Sequence, residues 1–265
     1  MKILLVNILA PIGCILLGYI IGSANISIPI GKLIFKQDPR DYGSHNVGAT
    51  NCGRLWGKKW FWLIFLFDTL KTIVPLYICW ALLTYVPIHH GHGLMTTAKN
   101  MYTGNLDGIA IKWPVYWLAC LGALLGNIFP LFLKFKGGKA ASTYLGLTFT
   151  TSWALTLVAG ATYIPLIIKS KYVSFSSMIC GAVLALASWV WAILLMLKVV
   201  PAGMYWFILW GPMFYCNFVF ASVMTIIVIV MILRHHENIA RLRAGTERKV
   251  AWVDKMFHRE NKVEN

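Results

Sequence analysis

Charged side chains are scarce in this chain, and acidic ones are the scarcest. Charged residues fill only 12% of the 265 positions, and only 9 residues are Asp or Glu, whereas a soluble domain has about 25% charged residues. The hydrophobic fraction is 58% and the mean hydropathy is +0.68. This shortage of charge excludes an ordinary soluble domain, because runs such as 205–233 exceed the roughly 20 apolar residues that a helix needs to cross a bilayer.

Signatures of metal, redox and nucleophilic sites are also missing. The 6 cysteines are scattered, mostly within apolar runs, and form no metal or redox pairing. The chain has no His-x4-Asp acyltransferase motif, no Gly-x-Ser-x-Gly elbow and no Walker loop. His89, His90 and His92 lie close together but lack a carboxylate or thiol companion. We therefore expect no bound metal and no cofactor.

Positive charge is the one kind of charge that is plentiful, with a formal net charge of +15. The basic residues lie between the apolar segments and do not gather on one face, so nucleic acid is not the expected partner. Basic loops beside membrane spans instead follow the positive-inside rule and attract anionic lipid. Membrane lipid is therefore an expected partner.

Five apolar segments are long enough to be transmembrane helices, and tryptophans cluster near several of their ends. They are residues 3–21, 60–85, 113–133, 175–197 and 205–233. Residues 143–168 are also uncharged, but they include two glycines, a proline and several hydroxyl side chains. This segment can be interpreted either as one span or as two short, tightly paired helices of about 13 residues each, too short for a full crossing.

The distribution of cations decides between six and seven spans. With six, the basic C-terminal tail and the cationic loop 32–59 lie on opposite faces, against the positive-inside rule. With seven, most of the 24 lysines and arginines share one face, and only Lys2, Lys99, Lys112 and Lys198 lie outside. We therefore predict an all-α integral membrane protein, a bundle of about seven transmembrane helices, two of them short or broken. The N-terminus is outside and the C-terminus is inside.

We expect a single transmembrane bundle domain over residues 1–233, with polar loops that face the inside, followed by a basic cytoplasmic tail over 234–265. Four polar patches fall on that inner face. In the first, residues 43–54, glycine lets backbone N–H groups approach an anion, and Arg54 can bind phosphate in a forked manner. Hydroxyl and amide donors accompany it. Its candidate residues are Gly43, Ser44, Asn46, Gly48, Thr50, Asn51 and Arg54.

The other three patches are shorter. The second places Lys136 and Lys139 around the pair Gly137-Gly138, the third contains Ser174, and the fourth runs from Arg234 to Glu247. In the fourth, His235 and Asn238 are three residues apart and share a helix face; histidine is the commonest general acid or base near neutral pH. Each patch alone is equally typical of a surface turn or a membrane-flanking anchor.

Asp68 and Lys71 are ionisable residues inside the second span, three residues apart. Charges within the bilayer are costly and are usually paired or functional. They can pair with each other on one helix face, or Asp68 can orient a basic residue of a loop; we favour the structural pair.

The motifs and their order resemble the bacterial acyl-phosphate-dependent glycerol-3-phosphate acyltransferases, the PlsY family. The matching elements cover most of the chain, and the first of the four patches is the most specific. They are Gly22-Ser23, Asp38-Pro39-Arg40, residues 43–51 with Arg54, Phe129-Pro130, residues 135–139, 172–174, 234–239 and 245–247. Asn127 stands where the family usually has His, which argues against an essential acid–base role at that position. Residues 140–143 also depart from the family pattern.

The resemblance implies transfer of an acyl group from acyl phosphate to the 1-hydroxyl of glycerol 3-phosphate, giving lysophosphatidic acid and inorganic phosphate. It implies a bacterial cell membrane and an active site on the cytoplasmic side. On this hypothesis the first patch holds one phosphate, Lys136 and Lys139 neutralise the second, and Gly137, Gly138 and Glu247 join the substrate-binding set. Ser44, Arg54, Ser174, His235 and Asn238 would be catalytic, and the acyl chain would lie in a membrane-facing groove. The base is His235 or a substrate phosphate oxygen.

A transporter of phosphorylated small solutes is the alternative that these residues leave open, since it also explains basic loops and a membrane-embedded charge pair. Transporters usually bind their cargo near the bilayer midplane and often contain inverted repeats. The polar patches here crowd one face, and the sequence shows no internal repeat. A membrane scaffold with lipid-binding loops is a third possibility.

Overall fold

The computed structural model describes residues 2–87, 93–95, 110–111, 113–197, 199 and 217–250, and these residues are helical without named strands. The long helices are α1 (Lys2–Gly22), α4 (Lys58–Tyr85), α5 (Leu118–Ile128), α6 (Ala141–Thr151), α7 (Trp153–Ser170), α8 (Val173–Met196) and α9 (Phe218–Leu233). The shorter ones are α2 (Ser27–Ile30), which continues into a π-turn over Gly31–Phe35, α3 (Ala49–Trp56) and α10 (His236–Arg243). The predicted all-α bundle is confirmed.

Helices α1 and α5 form the tightest seam of the bundle, and small residues explain it. A Cβ atom on Gly18 or Gly22 would strike the backbone of α5, and one on Gly122 or Gly126 would strike the backbone of α1. Helices in a membrane gain contact area when small residues let their backbones approach. The seam continues into a core whose largest buried side chains include Trp117, Tyr144 and Phe220.

The charged residues inside α4 are paired, as the sequence predicts. Lys71 Nζ lies 2.7 Å from Asp68 Oδ1, and both side chains are buried. Lys71 also donates a hydrogen bond of 3.2 Å to the carbonyl of Ala24, near the end of α1. The pair neutralises two charges that would otherwise be costly within the bilayer.

The uncharged segment 143–168 folds as two helices that break at Ser152. Ser152 has extended backbone angles, and its hydroxyl accepts a hydrogen bond from the amide of Ala154, which caps α7. The break is therefore confirmed, but the expectation of two equally short halves is wrong. Helix α6 has only 11 residues, whereas α7 has 18 and is long and apolar enough to span the membrane.

Five of the described helical segments pass the length and hydropathy test for a membrane span, and the bent pair α9 and α10 makes a sixth. The two helices of that pair meet at 55°. The chain then folds back on the bundle: the amide of Val250 donates to the carbonyl of Lys171, and Val250 is buried beside Ile167. Residues 234–250 thus pack against the membrane helices. The remaining tail, 251–265, and the histidines at 89, 90 and 92 lie outside the described residues.

Candidate functional site

A cavity of about 900 Å³ lies where the four polar patches meet. One end is polar and is formed by the loops that begin α3, α6, α8 and α10. The other end is apolar and lies between α4, α6 and α7. Every predicted site residue except Lys136 lines it: Gly43, Ser44, Asn46, Gly48, Thr50, Asn51, Arg54, Gly137, Gly138, Lys139, Ser174, His235, Asn238 and Glu247. Lys136 is exposed and lies apart from the cavity.

Asn51 shapes the first loop from within. Its side-chain amide donates to the carbonyls of Pro39, Tyr42 and Asn46 at 2.8 to 3.1 Å, and its Oδ1 accepts from the amide of Ser44. Asn51 is buried, so these contacts occupy the amide that was expected to hold phosphate. Gly43 is required beside it, since its φ is +63° and a Cβ there would strike Asn51.

Arg54 lies on α3 and remains accessible from the cavity. Its Nη2 donates a hydrogen bond of 3.1 Å to the carbonyl of Arg248, which fixes the side chain beside the C-terminal segment. Partial burial lowers the pKa of Arg54, and the nearby positive charges of Arg248 and Arg241 act in the same direction, against Glu247. An anion in the cavity would relieve that repulsion.

The glycine pair of the second patch has a structural task. The amides of Gly137 and Gly138 donate to the carbonyls of Ile128 and Asn127 at 3.1 and 2.9 Å, so they satisfy the C-terminal end of α5. These two amides are therefore not available to an anion. A Cβ on Gly138 would lie 3.2 Å from Asn127 Oδ1 and 3.5 Å from Asn46 Oδ1, so glycine here brings the first two patches together.

Lys139 extends from this turn into the polar end of the cavity. Its ammonium donates to Asn238 Oδ1 and lies 3.9 Å from a carboxylate oxygen of Glu237. Burial lowers the pKa of Lys139, and the charges of Arg241 and Arg234 add to that effect, while Glu237 and Glu247 oppose it. The lysine thus joins the second patch to the fourth.

Glu247 connects the third and fourth patches. One of its oxygens accepts from Ser174 Oγ at 2.7 Å and from Asn238 Nδ2 at 2.6 Å, and the other accepts from Arg241 Nε at 2.7 Å. Burial raises the pKa of this carboxyl, but the three hydrogen bonds outweigh burial and the pKa is lowered overall. An ionised carboxylate with three donors would repel a phosphate, so this geometry favours a positioning role for Glu247 over the predicted substrate-binding role.

His235 is the strongest candidate base. It is only 5% exposed, and its Nδ1 lies 2.7 Å from the carbonyl of Met231. A carbonyl can only accept, so Nδ1 carries the proton and Nε2 holds a free lone pair. Burial lowers the pKa of His235 to about 4, although the Met231 contact acts in the opposite direction. The imidazole is therefore neutral near pH 7 and able to take a proton.

Four helices begin at the cavity without a side-chain cap: α3, α6, α8 and α10. The first residues of each line the cavity, for example Thr50, Ser142, Ser174 and Asn238. The first N–H groups of a helix have no intrahelical acceptor and carry partial positive charge, so they attract anions. This convergence supplies positive potential from the backbone in addition to the lysine and arginine side chains.

Three further arginines line the cavity: Arg234, Arg241 and Arg248. Sequence reasoning placed Arg234 in the fourth patch without a binding role, and it missed Arg241 and Arg248. Arg234 Nε is buried and has no hydrogen-bond partner among the described residues, and its guanidinium lies 6.0 Å from the ring of Phe129. Helical spacing is the signal that could have identified two of them, because Arg234 and Arg241 are four and three residues from Asn238.

The apolar end of the cavity is lined by side chains from three helices. Helix α4 contributes Phe61, Trp62 and Phe65; α6 contributes Leu145 and Phe149; and α7 contributes Thr156, Ala159, Gly160, Tyr163 and Ile164. Trp62 and Ile164 are 60% and 54% exposed, so this part of the cavity wall reaches the lipid-facing surface.

Comparison with known proteins gives consistent results. Residues 12–245 match the family described as "Glycerol-3-phosphate acyltransferase". Proteins of that name from Staphylococcus aureus and Staphylococcus haemolyticus are each 29% identical over 239 residues, which cover 90% of this chain and 97% of the relative. A solved structure titled "PlsY (YgiH), an integral membrane glycerol 3-phosphate acyltransferase - the glycerol 3-phosphate form" matches with a TM-score of 0.65 and 25% identity, covering 94% of this chain and 99% of that one. The lysophosphatidic acid form has the same fold, with a TM-score of 0.63.

Proposed function

The chain belongs to the glycerol-3-phosphate acyltransferase family and is a multi-pass membrane acyltransferase, and we propose that its acyl donor is acyl phosphate. The reaction would transfer the acyl group to the 1-hydroxyl of glycerol 3-phosphate. The products would be 1-acyl-glycerol 3-phosphate and inorganic phosphate. Acyl phosphate, glycerol 3-phosphate and membrane lipid are the proposed partners, and membership in this family favours an enzyme over a transporter of phosphorylated solutes.

The single observation that supports this donor is the composition of the cavity. Both substrates would carry phosphate, and the polar end contains Arg54, Lys139 and Arg234 together with four uncapped helix starts. An apolar slot leaves the same cavity for a lipid chain. An acyl phosphate carries both an anion and an apolar chain, so it fits the two ends simultaneously.

In the proposed reaction the hydroxyl oxygen of glycerol 3-phosphate attacks the acyl carbon, and the bond from that carbon to the phosphate oxygen breaks. Acyl phosphate is an activated anhydride, so positioning and charge stabilisation can provide most of the catalysis. The first loop and Arg54 would hold one phosphate, with Ser44, Asn46 and Thr50 as donors, while Lys139 and Arg234 would hold the second. Ser174 and Asn238, oriented by Glu247, would direct the attacking hydroxyl.

Two groups can take the proton of that hydroxyl: Nε2 of His235 and an oxygen of a substrate phosphate. The neutral imidazole with its free lone pair supports His235. A His235→Ala variant separates the two, since loss of the base lowers turnover by at least about tenfold, roughly 1.4 kcal/mol of transition-state stabilisation. A near-normal rate would assign the proton to the phosphate.

Orientation is part of the proposal. We place the N-terminus outside, and the C-terminus and the cavity on the cytoplasmic side of a bacterial cell membrane. The support is the positive-inside rule applied to the cation-rich loops 32–59 and 134–139. A C-terminal epitope should be cleaved by protease in inverted vesicles and protected in right-side-out vesicles. Cleavage only in right-side-out vesicles would reverse the assignment.

The donor is tested with purified protein, glycerol 3-phosphate and one acyl donor at a time. We expect 1-acyl-glycerol 3-phosphate and inorganic phosphate from hexadecanoyl phosphate, and no product from hexadecanoyl-CoA or from acyl carrier protein. Product from the thioesters alone would reject acyl phosphate as the donor. Absence of product with every donor would support the alternative function, transport of phosphorylated small solutes.

A further inference from the structure

Gly160 lies in the middle of α7, where no close approach of a described helix requires glycine. Gly18 and Gly22 of α1 each allow close approach of a neighbouring helix, since a Cβ on either would meet the α5 backbone. Within the part of the chain that the structure describes, a Cβ on Gly160 would meet only the tip of Ile164 on its own helix, at 4.0 Å. Glycine within a helix costs about 1 kcal/mol relative to alanine, so another need must explain it.

That need is suggested by the position of Gly160 in the wall of the cavity. Helix α7 packs against α6 and α8, and its face carrying Thr156, Gly160 and Tyr163 lines the apolar end. These residues follow the i, i+4, i+7 spacing of one helix face. From Tyr163 to Thr156 this face extends about 10 Å along the axis at 1.5 Å per residue.

Gly160 lies one helical turn further from the polar end than Ile164, because α7 ends at Ser170 beside the loop that begins α8. Ile164, four residues further along α7, lines the cavity and is largely exposed to the lipid side, as is Trp62 on α4. An apolar chain that starts at the polar end and follows this face of α7 passes Ile164 first and reaches the backbone of Gly160 about 6 Å further on, at 1.5 Å per residue. A side chain at this position would narrow that passage.

On the basis of the proposed function, we infer that Gly160 sets the length of acyl chain that the enzyme accepts. The missing side chain leaves room for the distal part of a long chain, while the polar end binds the phosphates regardless of chain length. Gly160 is thus a specificity-determining residue that does not contact the reacting atoms.

The test is a chain-length profile of Gly160→Leu. We expect kcat/KM with hexadecanoyl phosphate to fall at least about tenfold, as is typical when a few methylene groups no longer fit an apolar pocket. The value with octanoyl phosphate should change less than about twofold. Gly160→Ala should give an intermediate profile, and it keeps the inference testable if leucine prevents folding, because alanine favours the helix.

Two matched controls show whether the change in chain-length profile comes from the cavity or from any leucine added to a membrane helix. Gly13→Leu makes the same substitution in α1, where a Cβ also meets no atom within 4 Å, but Gly13 does not line the cavity. Ala161→Leu adds bulk to the exposed face of α7. Both should retain the wild-type profile. A uniform loss at all chain lengths in Gly160→Leu, or an unchanged profile, would overturn the inference.

A binding measurement distinguishes failure of the donor assignment from failure of this inference. Lysophosphatidic acids with 8 and 16 carbons in the acyl chain are added to each variant, and the rise in thermal midpoint is recorded. The longer compound should stabilise wild type more than Gly160→Leu, and the shorter one should stabilise both equally. This result would hold even if acyl phosphate proved not to be the donor, and equal shifts in both proteins would reject the role of Gly160.

Discussion

The two ends of the cavity are built on different principles. At the polar end side chains from α8, α10 and the segments that precede α6 and follow α10 are bonded to one another. Glu247 is bonded to Ser174, Asn238 and Arg241, and Lys139 is bonded to Asn238. At the apolar end Phe65, Phe149 and Gly160 only pack or leave space, and the slot opens toward lipid. A bonded network fixes geometry, whereas an open apolar slot accommodates variable length. Variants of the two ends should therefore change different kinetic properties.

The largest effect is expected from Glu247→Gln. The amide loses the charge that holds Arg241 and disturbs the hydrogen bonds from Ser174 and Asn238. The Glu247 side chain is only 6% exposed, so donors left without an acceptor there are costly. Turnover should fall at least about 100-fold by the same factor for short and long acyl donors. Steady-state kinetics with octanoyl and hexadecanoyl phosphate measure this directly.

Glu237→Gln is the matched control for that variant. Glu237 also lines the cavity, but its side chain is 59% exposed and, among the described residues, lies 3.9 Å from Lys139 and 4.0 Å from Arg241. Its contribution is therefore that of a weak, exposed ion pair. We expect its turnover to stay within about twofold of wild type. Equal losses in both variants would contradict a special role for Glu247.

Arg54→Ala should lower kcat/KM by at least about tenfold, because a positive charge close to the proposed phosphate site is lost. The loss should again be independent of acyl length. Arg243→Ala removes an exposed arginine of α10 that does not line the cavity, and it should leave kcat/KM nearly unchanged. A loss of kcat/KM in Arg54→Ala that depended on the length of the acyl chain would contradict the separate roles of the two ends.

Acid stability tests the buried imidazole at the polar end. The folded protein keeps His235 neutral down to a pKa of about 4, while the unfolded chain binds a proton below its ordinary pKa of 6.5. The contribution of His235 to the free energy of unfolding is therefore complete above pH 6.5. It is lost as the pH falls from 6.5 toward 4, by up to about 3 kcal/mol. Thermal midpoints from tryptophan fluorescence should fall more steeply with acidification in wild type than in His235→Gln. Parallel curves would show that His235 titrates normally.

The smallest effect is expected at the apolar end, in Phe149→Ala. Removing this ring near the break at Ser152 enlarges the slot, so the ratio of rates with octadecanoyl and dodecanoyl phosphate should rise by about threefold, well below the effect of losing a buried charge. The rate with octanoyl phosphate should not change. Leu157→Ala, on the exposed face of α7, is the control and should keep the wild-type ratio.

The sequence predicted the polar end far better than the apolar one. Ser174, His235 and Asn238 could be found because polar and basic residues are rare in so apolar a chain and because their order resembles one family. Arg234 was given no binding role and Arg241 was missed, since a basic residue at the end of a span is also explained by the positive-inside rule. Gly160 could not be found at all, because membrane helices contain glycine for several reasons.

The hydrogen-bond partners of the site residues could not be predicted from the sequence either. Asn51, Gly137 and Gly138 were expected to bind phosphate, since amides and glycines are typical of anion-binding loops. The structure uses Asn51 to hold its own loop and uses the amides of the glycine pair to complete the end of α5. Donor chemistry is visible in a sequence, but which acceptor each donor meets depends on the folded chain.

The sequence by itself determined that the chain is a helical membrane protein and predicted cation-rich patches on one face, because hydropathy, charge distribution and motif order are local properties of the residues. Only the tertiary structure decided that Glu247 unites Ser174, Asn238 and Arg241, that the imidazole of His235 is kept neutral, and that Gly160 faces the cavity. These features depend on burial and on contacts between residues far apart in the chain, which only the packing of the helices creates.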